Sequence, residues 1–444
     1  MVGHAGPVTG TSRLASIVCG VAGVAALVLA GCGSASDGGP DVGPAEVTVT
    51  STVWVAPLGS ATGSAGSGVR SAGSESPSGA SSALSAPAAG SVTDPGSVTA
   101  SAGSAAGPAT SVSGPVGSVT ASAPSSSAPG RPAGVFTLAL AGDVNFSERT
   151  ADLLAADPDT ALQQAGAELD GADITMVNLE TAITTRGTPA PKQFHFRAPA
   201  TALRALAAGG VDVATMANNH AADYGDQGLA DTVAAIKKSP IPVIGIGGTA
   251  TQAYAPYRVT VNGVRLAILA ASQVQDWTLG AHTATSDGPG IASAYSDRLV
   301  AAVRAAAAKA DVVVVYLHWG IEYQTCPSEE QRALADTLAD AGAAAVVGTH
   351  AHVLQGAGWR DDGVYVAYGL GNYYWWRSFG NEQDDNGVLT LTFDRGRVST
   401  AHFLATHLDD RGVPLAATGT QKQRILDEWQ RDRECADLAA RPPR

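Results

Sequence analysis

The chain is poor in positive charge, in cysteine and, over its first third, in large side chains. Its 27 Lys and Arg stand against 40 Asp and Glu, for a formal net charge of -13 and an isoelectric point near 5.0. No basic run occurs anywhere. That excludes nucleic acid, or an anionic membrane surface, as a partner held by bulk charge. An acidic ligand would need local cations, which metal ions could supply. Residues 33 to about 134 consist mainly of Gly, Ser, Ala, Pro, Thr and Val, with very few charges. Such a stretch has too little apolar surface to offset the entropy of ordering it, and it reads as a flexible tether over 32–134. GSVT recurs there at Gly90–Thr93, Gly96–Thr99 and Gly117–Thr120. The spacing is irregular and no core is available, which argues against a solenoid. The folded part is then about residues 135 to 410, enough to bury a substantial core as one domain. Residues 411–444 read as a helical extension packed on it.

Cysteine is so scarce that each of the four can be placed. Arg13 precedes an apolar stretch from Leu14 to Ala30, which ends in Leu29-Ala30-Gly31-Cys32. That length is near the short limit for a spanning helix, and a small-residue exit suits a secretory signal over 1–31. Leu-Ala-Gly-Cys resembles the bacterial lipobox, which implies cleavage before Cys32 and a diacylated thiol; an uncleaved anchor with an incidental Cys is the alternative. Cys19 would leave with the signal. Cys326 and Cys435 remain, an even pair in an oxidising compartment. They are expected to form a disulfide between the C-terminal helix and the loop after His318. The competing use, Cys326 as a nucleophile, lacks an evident partner base.

From Val135 onward, apolar runs alternate with amphipathic stretches, as in βαβ units. Strands are expected at Phe136–Ala141, Ile174–Val177, Val211–Ala217, Ile241–Ile246, Val312–Leu317 and Ala343–Val347, then Val364–Tyr368 and Val388–Phe393. Helices are expected over about Ser147–Leu169, Pro199–Ala208, Gly225–Lys238, Asp297–Lys309 and Ser328–Ala341. Asn262-Gly263, between Tyr257–Val261 and Arg265–Ala271, is a hairpin signal. Hairpins among parallel units point to an α/β fold of two mixed sheets packed together with helices outside.

Polar groups follow the strands in order: Gly142-Asp143-Val144-Asn145, Asn178-Leu179-Glu180, Asn218-Asn219-His220, His318-Trp319-Gly320 and His350-Ala351-His352. In α/β sheets, chemistry gathers at the carboxyl ends of strands. Asp143 and Glu180 supply carboxylates, Asn219 an amide oxygen, and His318, His350 and His352 imidazoles. Mixed oxygen and nitrogen donors without thiolates suit Mn, Fe or Zn and disfavour a structural cysteine site. Six candidate ligands are enough for two ions sharing a carboxylate. His220, beside Asn219, would be free to protonate a leaving group.

These residues resemble the CapA family of capsule-synthesis proteins, related to the calcineurin-like metallophosphoesterases. The carrying stretches are GDVNF (142–146), VNLETAIT (177–184), FHFRAP (194–199), ANNHAADYG (217–225), HWGIEY (318–323), GTHAHVLQG (348–356) and YGLGNYY (368–374). The resemblance implies a metallophosphatase-like four-layer αββα sandwich over about 135 to 375. It also implies a place in poly-γ-glutamate capsule synthesis or export, with an anionic envelope polymer or its precursor as partner. In the superfamily comparison Asp143 opens the first metal motif and Asn145 falls where a ligating His usually sits, which makes Asn145 a weak ligand. Glu180 stands where a bridging Asp is usual, Asn219-His220 matches the Asn-His pair, His318 the lone His, and His350 with His352 the final His-x-His. One or two divalent ions per chain would follow.

Other residues stay open. Arg197 could hold a substrate carboxylate or phosphate, or pair with an acidic neighbour. Asp223 and Tyr224 are expected to support the Asn-His loop. His195 reads as structural, and Tyr373, Tyr374, Trp375 and Trp376 as either an aromatic wall for a polymer or core and rim. Two functions from different classes compete. One is a membrane-anchored extracytoplasmic lipoprotein with metal-assisted hydrolase or transferase activity. The other is a non-catalytic accessory that binds polymer or other capsule synthesis subunits. A degraded site at Asn145 favours the second, and retention of His220 favours the first.

Overall fold

The computed structural model describes residues 132–444. The expected signal peptide, Cys32 and the tether up to residue 131 lie outside the described residues. Among those described, no helix is long and apolar enough to cross a membrane.

Strict alternation along the buried strands builds the layers. In the strand Val135–Val144, Phe136, Leu138 and Leu140 join one apolar cluster, while Ala139 and Ala141 join another. In Val312–His318, Val312, Val314 and Tyr316 enter that same first cluster, whereas Val313, Val315 and Leu317 enter a third. Side chains of a strand point alternately to opposite faces. The shared cluster is therefore the interior between two facing sheets, and the other two are the outer faces. Helices cover both: Leu203, Leu206, Leu229 and Val233 pack on the first sheet, and Leu299, Val303 and Leu338 on the second. The result is the expected α/β four-layer αββα sandwich. Strands buried on both faces explain the continuous apolar runs that marked them in the sequence.

The first sheet has eight strands in the order Pro414–Ala416, Arg397–Leu408, Asp385–Asp394, Val135–Val144, Ile174–Leu179, Val213–Thr215, Val243–Ile244, with Asn372–Tyr374 also paired to Val135–Val144. The second has six: Leu354–Trp359, Tyr365–Leu370, Ala345–Thr349, Val312–His318, Val264–Ser272, Tyr257–Val261. Both are mixed. Val135–Val144 is parallel to Ile174–Leu179 but antiparallel to Asp385–Asp394, and Ala345–Thr349 and Val264–Ser272 both run parallel to Val312–His318. The Asn262-Gly263 hairpin forms with φ of 46° and 84°, the left-handed conformations its tight turn requires.

Several elements differ from expectation. The single helix over 147–169 is two, Glu148–Ala156 and Gln163–Leu169. Pro158 cannot continue a helix and forces Asp157 into an extended conformation. The strand expected at 241–246 is broken at Gly245, whose φ is 80°. The twelve-residue strand Arg397–Leu408 was not anticipated, and neither was Leu354–Trp359. The sheet also runs past the expected boundary at 410, because Pro414–Ala416 adds a strand before the helix Gly419–Cys435. That helix packs Ile425 and Trp429 into the inter-sheet core, with Trp429 stacked on Phe403 at 4.0 Å between centroids. Cys435 at its end is disulfide-bonded to Cys326.

Candidate metal centre

The carboxyl ends of the parallel strands in both sheets meet at one edge of the sandwich. Asp143 lies near the end of its strand, in register with Asn178 on one side and Asn372 on the other. His318 ends its strand opposite Thr349 and Ser272. Among the hydrogen bonds that tie the sheets here, Tyr316 donates to the Ala141 carbonyl at 2.6 Å, and the His350 amide donates to Asp143 Oδ2 at 3.3 Å. Gly142 is required for the approach, since a Cβ there would lie 1.9 Å from the Gly371 carbonyl oxygen.

Asp143, Glu180, Asn219, His318, His350 and His352 come together, all buried. Three overlapping triads have ligating atoms mutually within 4.8 Å: Glu180, His318 and His350; Asp143, Glu180 and His352; and Glu322, His350 and His352. His318 Nε2 sits at the centre, 2.8 Å from Asn219 Oδ1, 3.1 Å from His350 Nδ1 and 3.4 Å from Glu180 Oε1. One ring nitrogen, with a single proton or a single lone pair, cannot satisfy all three. Both oxygens of Glu180 are buried without a hydrogen-bond partner, as is Asn145 Oδ1. Unpaired buried carboxylate oxygens are costly. A divalent cation among these donors would satisfy them, so the residues present fit such an ion.

Without a cation, the surroundings shift His318 and His350 toward the ligating form and Asp143, Glu180 and His352 away from it. Burial, then the Glu180 charge, pushes the Asp143 carboxyl up to about 6, and burial raises Glu180 as well. Burial lowers the His318 imidazole to about 4 and His350 well below the usual range. At His352 burial opposes the charged form, but the Glu180 and Asp143 carboxylates outweigh it and the pKa rises. Neutral imidazoles and carboxylates are the forms that ligate metals.

Second partners fix the orientation of the cluster. Asn178 Nδ2 donates to Asp143 Oδ1 at 2.8 Å and meets His318 Nδ1 at 3.2 Å. Asn372 Oδ1 is 2.8 Å from His352 Nδ1. Asn218 links to Asn178 and the Leu179 carbonyl, and its Oδ1 accepts from the His220 amide. Asn145 spends its amide nitrogen on the Glu180 carbonyl. His220 Nδ1 meets Asp223 Oδ2 at 2.6 Å, while its Nε2 lies 3.7 Å from Glu180 Oε1. Lys192 pairs with Asp223 at 2.7 Å.

Arg197 is not brought to the cluster. Its neighbours Phe196 and Ala198 point inward, so Arg197 faces outward in the short ladder with Ala182–Ile183 and stacks over Tyr224 at 4.5 Å. No hydrogen bond or ion pair links it to the ligating residues. His195 bonds the Ala190 carbonyl, a structural contact. The aromatic run divides: Tyr373 and Tyr374 are core residues bonded to the carbonyls of Ala165 and Ala161, while Trp375 packs on His352 at 4.9 Å and Trp376 reaches exposed Phe194 at the rim. Sequence reasoning gave no role to Asn372, Lys192, Thr349 or Glu322. Of these Glu322, Thr349 and Asn372 carried a signal, lying within the HWGIEY, GTHAHVLQG and YGLGNYY stretches, and Lys192 carried none.

Several known proteins are similar to this chain. "Capsule biosynthesis protein CapA" of Bacillus anthracis is 30% identical over 290 residues, 63% of this chain and 65% of that one. "PGA biosynthesis protein CapA" of Bacillus subtilis is 27% identical over 307 residues, 67% of this chain and 78% of that one. A Mycobacterium tuberculosis relative, "Probable polyglutamine synthesis accessory protein", is 33% identical over 196 residues, 42% of this chain and 51% of that one. The chain thus spans less than two thirds of the length of the first of these. Among solved structures, a novel phosphatase from Mycoplasma pneumoniae has a TM-score of 0.40 at 15% identity, covering 62% of this chain and 95% of that one. The NAD nucleotidase of Haemophilus influenzae gives 0.37 at 13%, covering 69% and 64%. These structural likenesses are too distant to carry an argument. The bacterial capsule synthesis protein family PGA_cap, in contrast, matches residues 137–375, more than half of the chain and every residue of the buried cluster. The protein belongs to that family.

Proposed function

We propose that the domain is a divalent-metal-dependent hydrolase or transferase acting on an anionic envelope polymer or its precursor, in synthesis or export of a capsule such as poly-γ-glutamate. A lipid on Cys32 would hold it outside the cell membrane through the tether. The observation that carries the catalytic half is Glu180, whose two buried oxygens lack any hydrogen-bond donor while facing His318 and His220. Family membership supports the polymer half, as do the names of the Bacillus relatives.

Asp143, Glu180, Asn219, His318, His350 and His352 would hold Mn, Fe or Zn, about one or two ions, with Asn145 Oδ1 as a weak extra donor. When bound, such an ion would polarise a substrate oxygen and acidify water. The chain itself manages the proton. Asp223 accepts from His220 Nδ1, so the ring presents Nε2 to the cluster. Lys192 balances the Asp223 charge, and the Phe196 ring covers His220 at 4.3 Å between centroids. Held this way, Nε2 can carry a proton to a departing oxygen or nitrogen.

A second reading, a metal-holding but non-catalytic accessory of a capsule synthesis complex, draws on Asn145. Its amide nitrogen is committed to Glu180, leaving one neutral oxygen where the superfamily has an imidazole. The name of the Mycobacterium tuberculosis relative points the same way. His220→Ala in the full chain separates the two. Turnover of an aryl phosphodiester that falls in the variant at unchanged metal content supports catalysis. Wild-type protein loaded with metal yet inert on phosphodiester and on polymer supports the accessory role.

A further inference from the structure

The loop after His318 is exposed at every residue from Ile321 to Cys326, yet it is tied down along its length. Trp319 at its start is fully buried, its amide donating to the Thr349 carbonyl and its indole to the Tyr368 carbonyl. The Tyr323 amide donates at 2.7 Å to the carbonyl of Ala351, the residue between the two histidines of the His-x-His segment. Gln355 Nε2 donates to the Gln324 carbonyl at 2.7 Å. Cys326 at the far end is bonded to Cys435 of the C-terminal helix. Tyr323 itself is held at φ 65°, a left-handed conformation that a bulky residue adopts only under such constraint. An exposed loop fixed this thoroughly is positioning something.

What it positions is Glu322. Its carboxylate and one ring nitrogen from each of His350 and His352 lie within 4.8 Å of one another. Its charge also reaches the buried carboxylate: after burial, and against the nearby His352, His220 and Lys192, it adds to the raised proton affinity of Glu180. The resemblance that assigned the six buried ligands gave Glu322 no role.

We infer that Glu322 is a solvent-side carboxylate ligand of a divalent cation shared with His350 and His352, and that the Cys326–Cys435 bridge holds it in reach. The inference rests on the metal-binding reading given above. A third carboxylate contributes the negative charge that the neutral amide of Asn145 cannot. It also closes the site from the open side, where a substrate oxygen could displace it. Because Glu322 is exposed, its replacement should leave the fold intact.

The test is divalent affinity, measured on the full chain by competition for Mn²⁺ or Zn²⁺ against a chelating dye. Glu322→Gln should weaken binding by about tenfold or more, at least the loss that removing a supporting partner of a metal ligand brings. The melting temperature in EDTA should stay at the wild-type value. Cys326→Ser/Cys435→Ser should weaken binding in the same direction, and Glu322→Gln added to that background should cost far less than it does alone. If the bridge variant does not fold, Glu322→Gln alone decides. Wild-type affinity in Glu322→Gln, alongside loss of the ion in His350→Ala/His352→Ala, overturns the role of Glu322 and leaves the metal centre standing. Wild-type protein that binds neither ion overturns both.

Discussion

Asp223 Oδ2 lies 2.6 Å from His220 Nδ1, and both side chains are buried at the mouth of the cluster. The same Oδ2 accepts from the Phe196 amide at 2.6 Å, while Lys192 holds Oδ1. An anion held this way at Oδ2 dictates which imidazole nitrogen keeps its proton. It also links the Asn-His loop to the FHFRAP segment, so a single carboxylate sets both the tautomer and the wall beside the ring.

Replacing that carboxylate by an amide should therefore harm turnover and spare metal. Asp223→Asn is expected to lower turnover on the order of 10–100-fold, within the range a positioned acid contributes. Metal content should stay at the wild-type level, because Asp223 touches none of the ligating side chains. Elemental analysis and steady-state kinetics on one preparation check both halves, and parallel loss of metal and turnover would contradict the assignment.

Gly142 offers a test of how the site is assembled. A methyl group there would collide with the Gly371 and Leu370 carbonyls, at 1.9 and 2.9 Å, and neither is a flexible side-chain end. Gly142→Ala must push apart the strands carrying Asp143 and Asn372. Denaturant unfolding should show a loss of about 1–3 kcal/mol or more. Divalent affinity should fall with it, since Asn372 orients His352.

Asp432, on the C-terminal helix, predicts a pH dependence of its own. Burial, with a smaller contribution from Glu428, pushes its carboxyl up to about 6 despite Arg431 and Thr325. The unfolded chain releases this proton near the ordinary value of 3.8. Between those two values the folded state binds the extra proton, so stability falls as pH rises through the window. The cost is complete above about pH 6, and it is modest because the group is partly open to solvent. Asp432→Asn should raise the melting temperature at about pH 7.5 and leave it unchanged at about pH 4, which a calorimetric series would show.

Much of this arrangement is legible in the sequence because of how parallel strands work. A buried strand is an apolar run, and the first polar residues beyond it emerge at one sheet edge. That is why Asp143, Glu180, Asn219, His318, His350 and His352 could be gathered before their distances were known. Asn178 and Asn372 are harder to read, because a lone asparagine at a strand end looks like turn chemistry. Only the register of their strands on Val135–Val144 shows that each flanks Asp143. Arg197 misleads for the opposite reason. It lies in a motif beside Phe196, but the period of two in its short strand turns it away from the cluster. Pro158 carried a helix break that the periodicity of 147–169 obscured. The strand Arg397–Leu408 escaped because its exposed and half-buried residues blur the alternation. Glu322 could not be weighed from spacing alone, since its place depends on a disulfide spanning 109 residues.

The central claim is a divalent metal centre that serves chemistry, and metal content tests it most directly. The full chain, prepared with Mn, Fe and Zn supplementation, should carry about one or two ions per molecule. His350→Ala/His352→Ala should lose them together with aryl phosphodiester turnover. Wild-type protein free of metal under all three supplements would contradict the account and leave a polymer-binding accessory in its place.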